Sequence, residues 1–335
     1  MSIMRTPPDG AAGHPLSTVI TDQSAQASTL FIHGGGDTWY QPLAVYPSRW
    51  FLRAGVSPEL ALRLPAAVAG MLTMVFGYML VARLTGDAVM GALVVLFLIA
   101  MPGFRLASHT PGAGLFMVAF VLAWFVAVLQ YVGRPRLWLA FAGGAVLGLS
   151  IYTQPAGVLS VPVFLALGAI VLGRAERGSA AVWSSVIGVA VVSLPAVMWI
   201  IVHRDAYPDT FGRWAIHAAH VRSPWQGIVA FTHWPVMARR VEEYWHYVNP
   251  TFLFSRAMWG LPLVALVPYG CWVIGDRGPS IDRVIVLGGL VAAPAAAALL
   301  DMPREPSLVW MALPFAAVLA AQAARTILSL TGVAK

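Results

Sequence analysis

Side chains able to do acid–base, metal or phosphate chemistry are scarce in this sequence and unevenly spread. All eight histidines (His14, His33, His109, His203, His217, His220, His233 and His246) lie between the apolar runs, as do nearly all acidic residues. Two aspartates come early, Asp22 in TDQSAQ and Asp37 in GGGDTWYQP. A carboxylate in either place can accept a proton. Asp22 also suits the N-cap of a following helix, and Asp37 suits a turn after the glycines. Arg105 sits in MPGFRLASHTPGAG, and Arg213 and Arg256 lie within the long polar stretch 203–257. Each can hold a phosphate through charge-assisted hydrogen bonds, or simply snorkel to a membrane surface. His217 and His220 can share a helix face and hold a divalent metal. The strong ligand-spacing signatures are missing, however, and solvated or hydrogen-bonded histidines fit the spacing as well. Gly34-Gly35-Gly36 is no phosphate loop, since neither the P-loop lysine nor the dinucleotide spacing follows.

The elements that must position these groups are membrane helices. Of the 335 residues, 59% are hydrophobic and only 10% charged, against about 25% charged in a soluble domain. The apolar runs reach span length and do not alternate as β-barrel strands would. The fold expected is all-α, a polytopic transmembrane helical bundle of about nine spans. The spans are 64–84, 88–104, 113–132, 137–153, 156–173, 181–202, 258–274, 284–300 and 307–330. Gly143, Gly144 and Gly148 suit close helix packing. Cys271 lies in a span and has no second cysteine to pair with.

Orientation follows from the short connections. Arg83, Arg134, Arg136, Arg174, Arg177, Arg277, Arg283, Arg325 and Lys335 fall on one side, against Arg105 and Arg304 on the other. The positive-inside rule places the first set in the cytoplasm. The net charge of +7 is then a matter of topology. It forms no basic patch or motif, so nucleic acid is not an expected partner.

The chain thus divides into an extracytoplasmic stretch, 1–63, with short interfacial helices; helices one to six over 64–202; an aromatic-rich extracytoplasmic loop, 203–257; and helices seven to nine with a cytoplasmic tail over 258–335. Within the first stretch, 21–33 reads as a short amphipathic helix, and 42–55 as a second one carrying Trp50 and Phe51 along the interface. In 203–257 the tryptophans suit the headgroup region, and Arg239, Arg240, Glu242 and Glu243 read as a solvated helix face. Residues 1–63 contain no apolar span, yet nine spans with a cytoplasmic C-terminus put them outside; either this stretch is translocated unaided or, the expectation favoured, a first span lies upstream of Met1.

The order of segments carries a resemblance. An early acidic residue is followed by GGGDTWYQPLAVY (34–46), ALRLPAAVAG (61–70), the run MLTMVFGYMLVARL, GLSIYTQPAGVL (148–159) and YWHYVNPTFLF (244–254). The chain resembles the membrane-embedded GT-C glycosyltransferases over most of its length. It is most similar to bacterial relatives of the protein O-mannosyltransferases and of the aminoarabinose transferases that modify lipid A. In that family an Asp-Glu pair in the first outer loop supplies the catalytic acid. Here the pair reads Asp22-Gln23.

The resemblance implies an inverting hexosyl- or pentosyltransferase of the cell envelope. Its donor would be a polyprenyl-phosphate-linked sugar, its acceptor a lipid, glycan or protein, and its active site extracytoplasmic. Asp22 would be the base, with Asp37 second. Arg105, Arg213 and Arg256 would hold the donor phosphate, and Gln154, His217 and Tyr244 would touch substrate. No cofactor is certain, and a divalent metal fits some relatives. Two other classes stay open. A transporter would carry ionisable groups near mid-membrane, and these spans carry none near their centres. A non-catalytic or truncated member of the fold, acting as a scaffold, fits the altered Asp22-Gln23 pair.

Overall fold

The computed structural model describes residues 30–33, 39–112, 114–176, 178–203, 233–249, 251–252, 260–276, 278, 280–299 and 309–331. A two-residue ribbon comes first, β1 (Ile32–His33) paired antiparallel with β2 (Trp39–Tyr40). The helices follow: α1 (Pro42–Arg53), α2 (Pro58–Thr85), α3 (Ala88–Ala100), α4 (Pro102–His109), α5 (Gly114–Gly133), α6 (Leu137–Gly148), α7 (Pro155–Arg174) and α8 (Gly178–Val202). Beyond the long polar stretch come α9 (Trp234–Val248), α10 (Leu261–Asp276), α11 (Ile281–Ala292), α12 (Ala295–Leu299) and α13 (Ala312–Leu330). A 3-10 turn, Leu149–Tyr152, extends α6. The chain is an all-α, multi-pass membrane bundle.

Each expected span is mainly helical over its described residues, but not every one is a straight crossing. Among the described residues, six helices are long and apolar enough to cross a membrane, seven if the bent pair α3–α4 is one span. Leu137–Tyr152 and Leu263–Asp276 are two shorter apolar helices. The bend between α3 and α4 is 73°, and its cause is local. Pro102 offers no N–H to continue the ladder and pushes Met101 into an extended conformation, φ −70° and ψ 121°. Arg105, expected in a loop, therefore sits on a helix. A second correction concerns 21–33. Ile32 and His33 form a strand, because Ile, Trp and Tyr favour the pleated backbone and the intervening GGGDT is rich in turn formers. The part of that segment before Leu30 lies outside the described residues.

The core is built on α5 and α13. Residues 312–323 of α13 are buried on every face, and their alanines let neighbouring backbones approach closely. Phe125, Phe164 and Phe315 pack together, with centroids 6.1–6.5 Å apart. Trp124 Nε1 donates to the Phe164 carbonyl at 3.1 Å. By contrast α8 lies at the rim, with only 22% of its apolar window buried. It is held to α6 by reciprocal close approaches: a Cβ on Gly144 would meet the Ser185 backbone, and one on Gly188 the Phe141 carbonyl.

Short connections make successive helices antiparallel, so the bundle has two distinct ends. The α2–α3, α5–α6, α7–α8 and α10–α11 connections share one, the arginine-rich end, with Arg83, Arg134, Arg136, Arg174, Arg283 and Arg325. The helices α1, α4, α9 and α12 and the α6–α7 junction share the other.

Candidate functional site

At the α1 end the helical path is interrupted at Pro102, Pro155 and Pro294, which leaves backbone polar groups there outside the helical ladders. The α6–α7 junction shows how. Pro155 forces Gln154 into extended backbone, φ −161° and ψ 160°. The 3-10 turn before it brings Tyr152 against α8. There the Tyr152 hydroxyl donates to the Val192 carbonyl at 2.6 Å and accepts from the Ala196 N–H at 3.3 Å. It is thereby inserted into the i→i−4 ladder beside Pro195, a recognised cause of helix bending. Phe31 docks on the same spot, fully buried, its ring 4.7 Å from that of Trp199. Trp199 in turn stacks on His203, with ring centroids 4.7 Å apart. The polar N-terminal stretch is thus tied to the α6–α7 junction by an apolar contact.

Gln154 then reaches across to α5. Its Nε2 lies 3.5 Å from Met117 Sδ. Its Oε1 and the Trp310 ring both crowd Gly114, at 3.1 and 3.3 Å from where a Cβ would stand. Gly114 is therefore needed for close approach rather than for helix propensity. Trp310 Nε1 is buried without a hydrogen-bond partner among the described residues. So are Ser150 Oγ and both polar atoms of the Gln41 carboxamide. An unpartnered buried amide costs about 1–3 kcal/mol, and such groups are expected where a polar ligand must be held.

Of the expected site residues, the structure brings Gln154, Tyr244 and Arg105 to this same end. Arg105 projects from α4 and is exposed, without an ion pair among the described residues. Its helix packs on α2, α3 and the start of α5. The Tyr244 hydroxyl donates to the Val291 carbonyl at 2.8 Å. That carbonyl lies where Pro294 interrupts the path from α11 to α12, so Tyr244 acts there as a strut. Burial pushes the Tyr244 and Tyr40 phenols above the ordinary tyrosine range, so both stay neutral donors at ordinary pH. Asp22, Asp37, Arg213, Arg256 and His217 lie outside the described residues. Among the described residues, no three His, Cys, Asp or Glu side chains come together as metal ligands.

Three residues escaped the sequence reading. The solvated face expected of α9 is corrected in one respect. Arg240 is only 5% exposed, on an inner stripe with Val236 and Tyr247, and it is the one charged side chain buried among the described residues. The Val236–Arg240 spacing of one helical turn was the available signal. Trp234 and Trp245, at 75% and 69% exposure, occupy the outer stripe of α9 as membrane-interface tryptophans would. Gln41 stands in the segment GGGDTWYQPLAVY but carries no role in the resemblance, and Trp310 stands in none of the segments that carry it.

Comparison with known proteins places the fold. No protein-family model matches the sequence, and no curated protein matches it. Solved structures do match. The chain is similar to ArnT from Cupriavidus metallidurans bound to undecaprenyl phosphate, with a TM-score of 0.65 and 16% identity over 95% of this chain and 58% of that one. It is also similar to the archaeal oligosaccharyltransferase AglB from Archaeoglobus fulgidus in complex with an inhibitory peptide and a dolichol-phosphate. There the TM-score is 0.54, with 15% identity over 91% of this chain and 44% of that one. The chain thus spans less than two thirds of either protein. At these identities the likeness is one of fold: the chain shares the membrane-helical fold of these two proteins.

Proposed function

We propose that this protein is an integral-membrane glycosyltransferase that moves a sugar from a polyprenyl-phosphate donor to a lipid, glycan or protein acceptor. The α1 end would be the extracytoplasmic, catalytic end. The observation that carries the reading is the fold. Almost the whole chain follows a structure that holds undecaprenyl phosphate, and a second neighbour holds a dolichol-phosphate. The same end of this chain gathers the buried groups that can bind an anionic, hydroxyl-rich ligand.

The chemistry is a single displacement with inversion. Asp22 takes the proton from the acceptor hydroxyl. The acceptor oxygen forms its bond to the anomeric carbon as the bond from that carbon to the phosphate oxygen breaks. The electron pair leaves on the polyprenyl phosphate, where arginines stabilise the added charge. Arg105 is the described candidate for that role, with Arg213 and Arg256 beside it in the proposal. Gln154 and Trp310 supply side-chain hydrogen bonds to the sugar. Asp37 is the second candidate base. Gln23, standing where the resembling family has Glu, favours a second reading, a non-catalytic scaffold of the same fold.

The test is saturable binding of radiolabelled undecaprenyl phosphate to the purified chain in nanodiscs. Arg105→Ala should weaken binding by about 1.5–3 kcal/mol, the range for a hydrogen bond to a charged group. Binding without any turnover of sugar-loaded donor, in the presence of crude membrane acceptors, would favour the scaffold. Unsaturable partitioning would remove the donor altogether.

A further inference from the structure

The arginine-rich end carries a cationic cleft, apart from the groups at the α1 end. Between the C-terminal turns of α2 and α5 and the start of α6 lies a cleft of about 540 Å³. Its lining includes Arg83, Arg134 and Arg136, with Gln130, Trp138 and Leu139. Its size falls in the usual range of small-molecule sites, about 300–1,000 Å³.

The positive-inside bias accounts for arginines at this end, but not for their convergence. Arg325 shows the contrast. It stands at the same end and is paired with Asp87 at 3.2 Å. No carboxylate lines the cleft, and Arg83, Arg134 and Arg136 form no ion pair among the described residues. Arg136 also occupies the N-cap of α6 without a side-chain cap hydrogen bond. A cation there adds to the positive end of the helix dipole instead of opposing it, which is unfavourable unless an anion is present. Three guanidinium groups can offer paired N–H donors to phosphate oxygens.

The cleft opens beside apolar surface. Trp138 is 60% exposed at its edge, and Leu137 and Phe141 continue an exposed apolar stripe along α6. This combination of a cationic recess, an interfacial tryptophan and an apolar track fits a headgroup with acyl chains attached. It fits a free anion less well. We propose that this cleft binds the phosphate headgroup of one anionic phospholipid, with its chains lying along α6.

The test is native mass spectrometry of the purified full chain, delipidated and offered phosphatidylglycerol or phosphatidylcholine. One phosphatidylglycerol should be retained in preference to phosphatidylcholine. Arg83→Gln, Arg134→Gln and Arg136→Gln together should remove that preference. Arg174→Gln with Arg283→Gln, from the same end but outside the cleft, should leave it intact. Replacing the same three cleft arginines by lysine keeps charge and topology. It should still weaken retention by about tenfold, since lysine lacks the two-pronged donor geometry. This variant decides the matter should the glutamine variant fail to fold. Equal retention of the two lipids would overturn the proposal. So would equal retention by the lysine variant, or an equal loss in the Arg174/Arg283 control. Displacement of the lipid by millimolar inorganic phosphate would make a free anion the occupant and overturn it too.

Discussion

The two ends of this bundle treat polar groups in opposite ways. At the arginine-rich end none of the described charged side chains is buried, and α2 and α3 meet on ordinary caps. Gly86 closes α2 in the left-handed conformation, at φ 69°, where glycine carries no Cβ penalty. Asp87 caps α3 by accepting from the Val89 N–H at 2.8 Å. At the α1 end the helices are broken at Pro102, Pro155 and Pro294, and a tyrosine hydroxyl is threaded into α8. Gln41, Ser150 and Trp310 bury polar atoms that have no partner among the described residues. An arrangement that only had to be stable would have avoided these costs. Strained and unsatisfied groups concentrate where a protein binds or reacts, so the asymmetry supports the proposal that the α1 end is the working end.

The largest effect that would break or sharpen this contrast is expected at Asp22. Asp22→Asn keeps size and capping ability, so folding and donor binding should survive. Transfer should fall by roughly 10²–10⁴-fold, the contribution of a general base. Wild-type turnover would move the assignment to Asp37.

Gln41 separates function from stability most cleanly. Gln41→Leu removes an unpartnered buried amide at little cost in volume. Thermal or denaturant unfolding should show unchanged or increased stability, by up to about 1–3 kcal/mol, while donor turnover falls. A loss of stability would mean that Gln41 is structural.

Tyr152→Phe should cost less, about 0.5–1.5 kcal/mol for the lost hydrogen bonds to α8. At the other end Asp87→Asn keeps the cap and breaks only the pair with Arg325, whose side chain is 50% exposed. About 0–1 kcal/mol is expected, and high salt should shrink it further. A larger cost for the Asp87 change than for the Tyr152 change would reverse the contrast between the ends.

The helical character of the bundle was legible in the sequence because hydropathy reports it directly. The small-residue contact of Gly144 with α8 was legible for the same reason: a glycine in an apolar run signals close approach. The bend at Met101 was harder to read, since Pro102 lies inside a continuous apolar run and nothing in hydropathy distinguishes a crossing from a kink. Arg240 was misread because four neighbouring charges look solvated, whereas burial is decided by which helical stripe faces α12 and the bundle. Trp310 and Gln41 were not legible at all. Their significance is the lack of a partner, and that is a tertiary property. Tyr244 stood in a recognisable segment, but its bond to Val291 depends on a break in a helix far along the chain.

The most direct measurement is photocrosslinking of a light-activated undecaprenyl phosphate to the purified chain, followed by peptide mapping. The expected result is saturable labelling of 101–117 and 149–157, competed by unlabelled undecaprenyl phosphate and reduced in Arg105→Ala. Saturable labelling confined to the cleft around Arg83, Arg134 and Arg136, or none that unlabelled lipid can compete, would contradict a donor site at the α1 end.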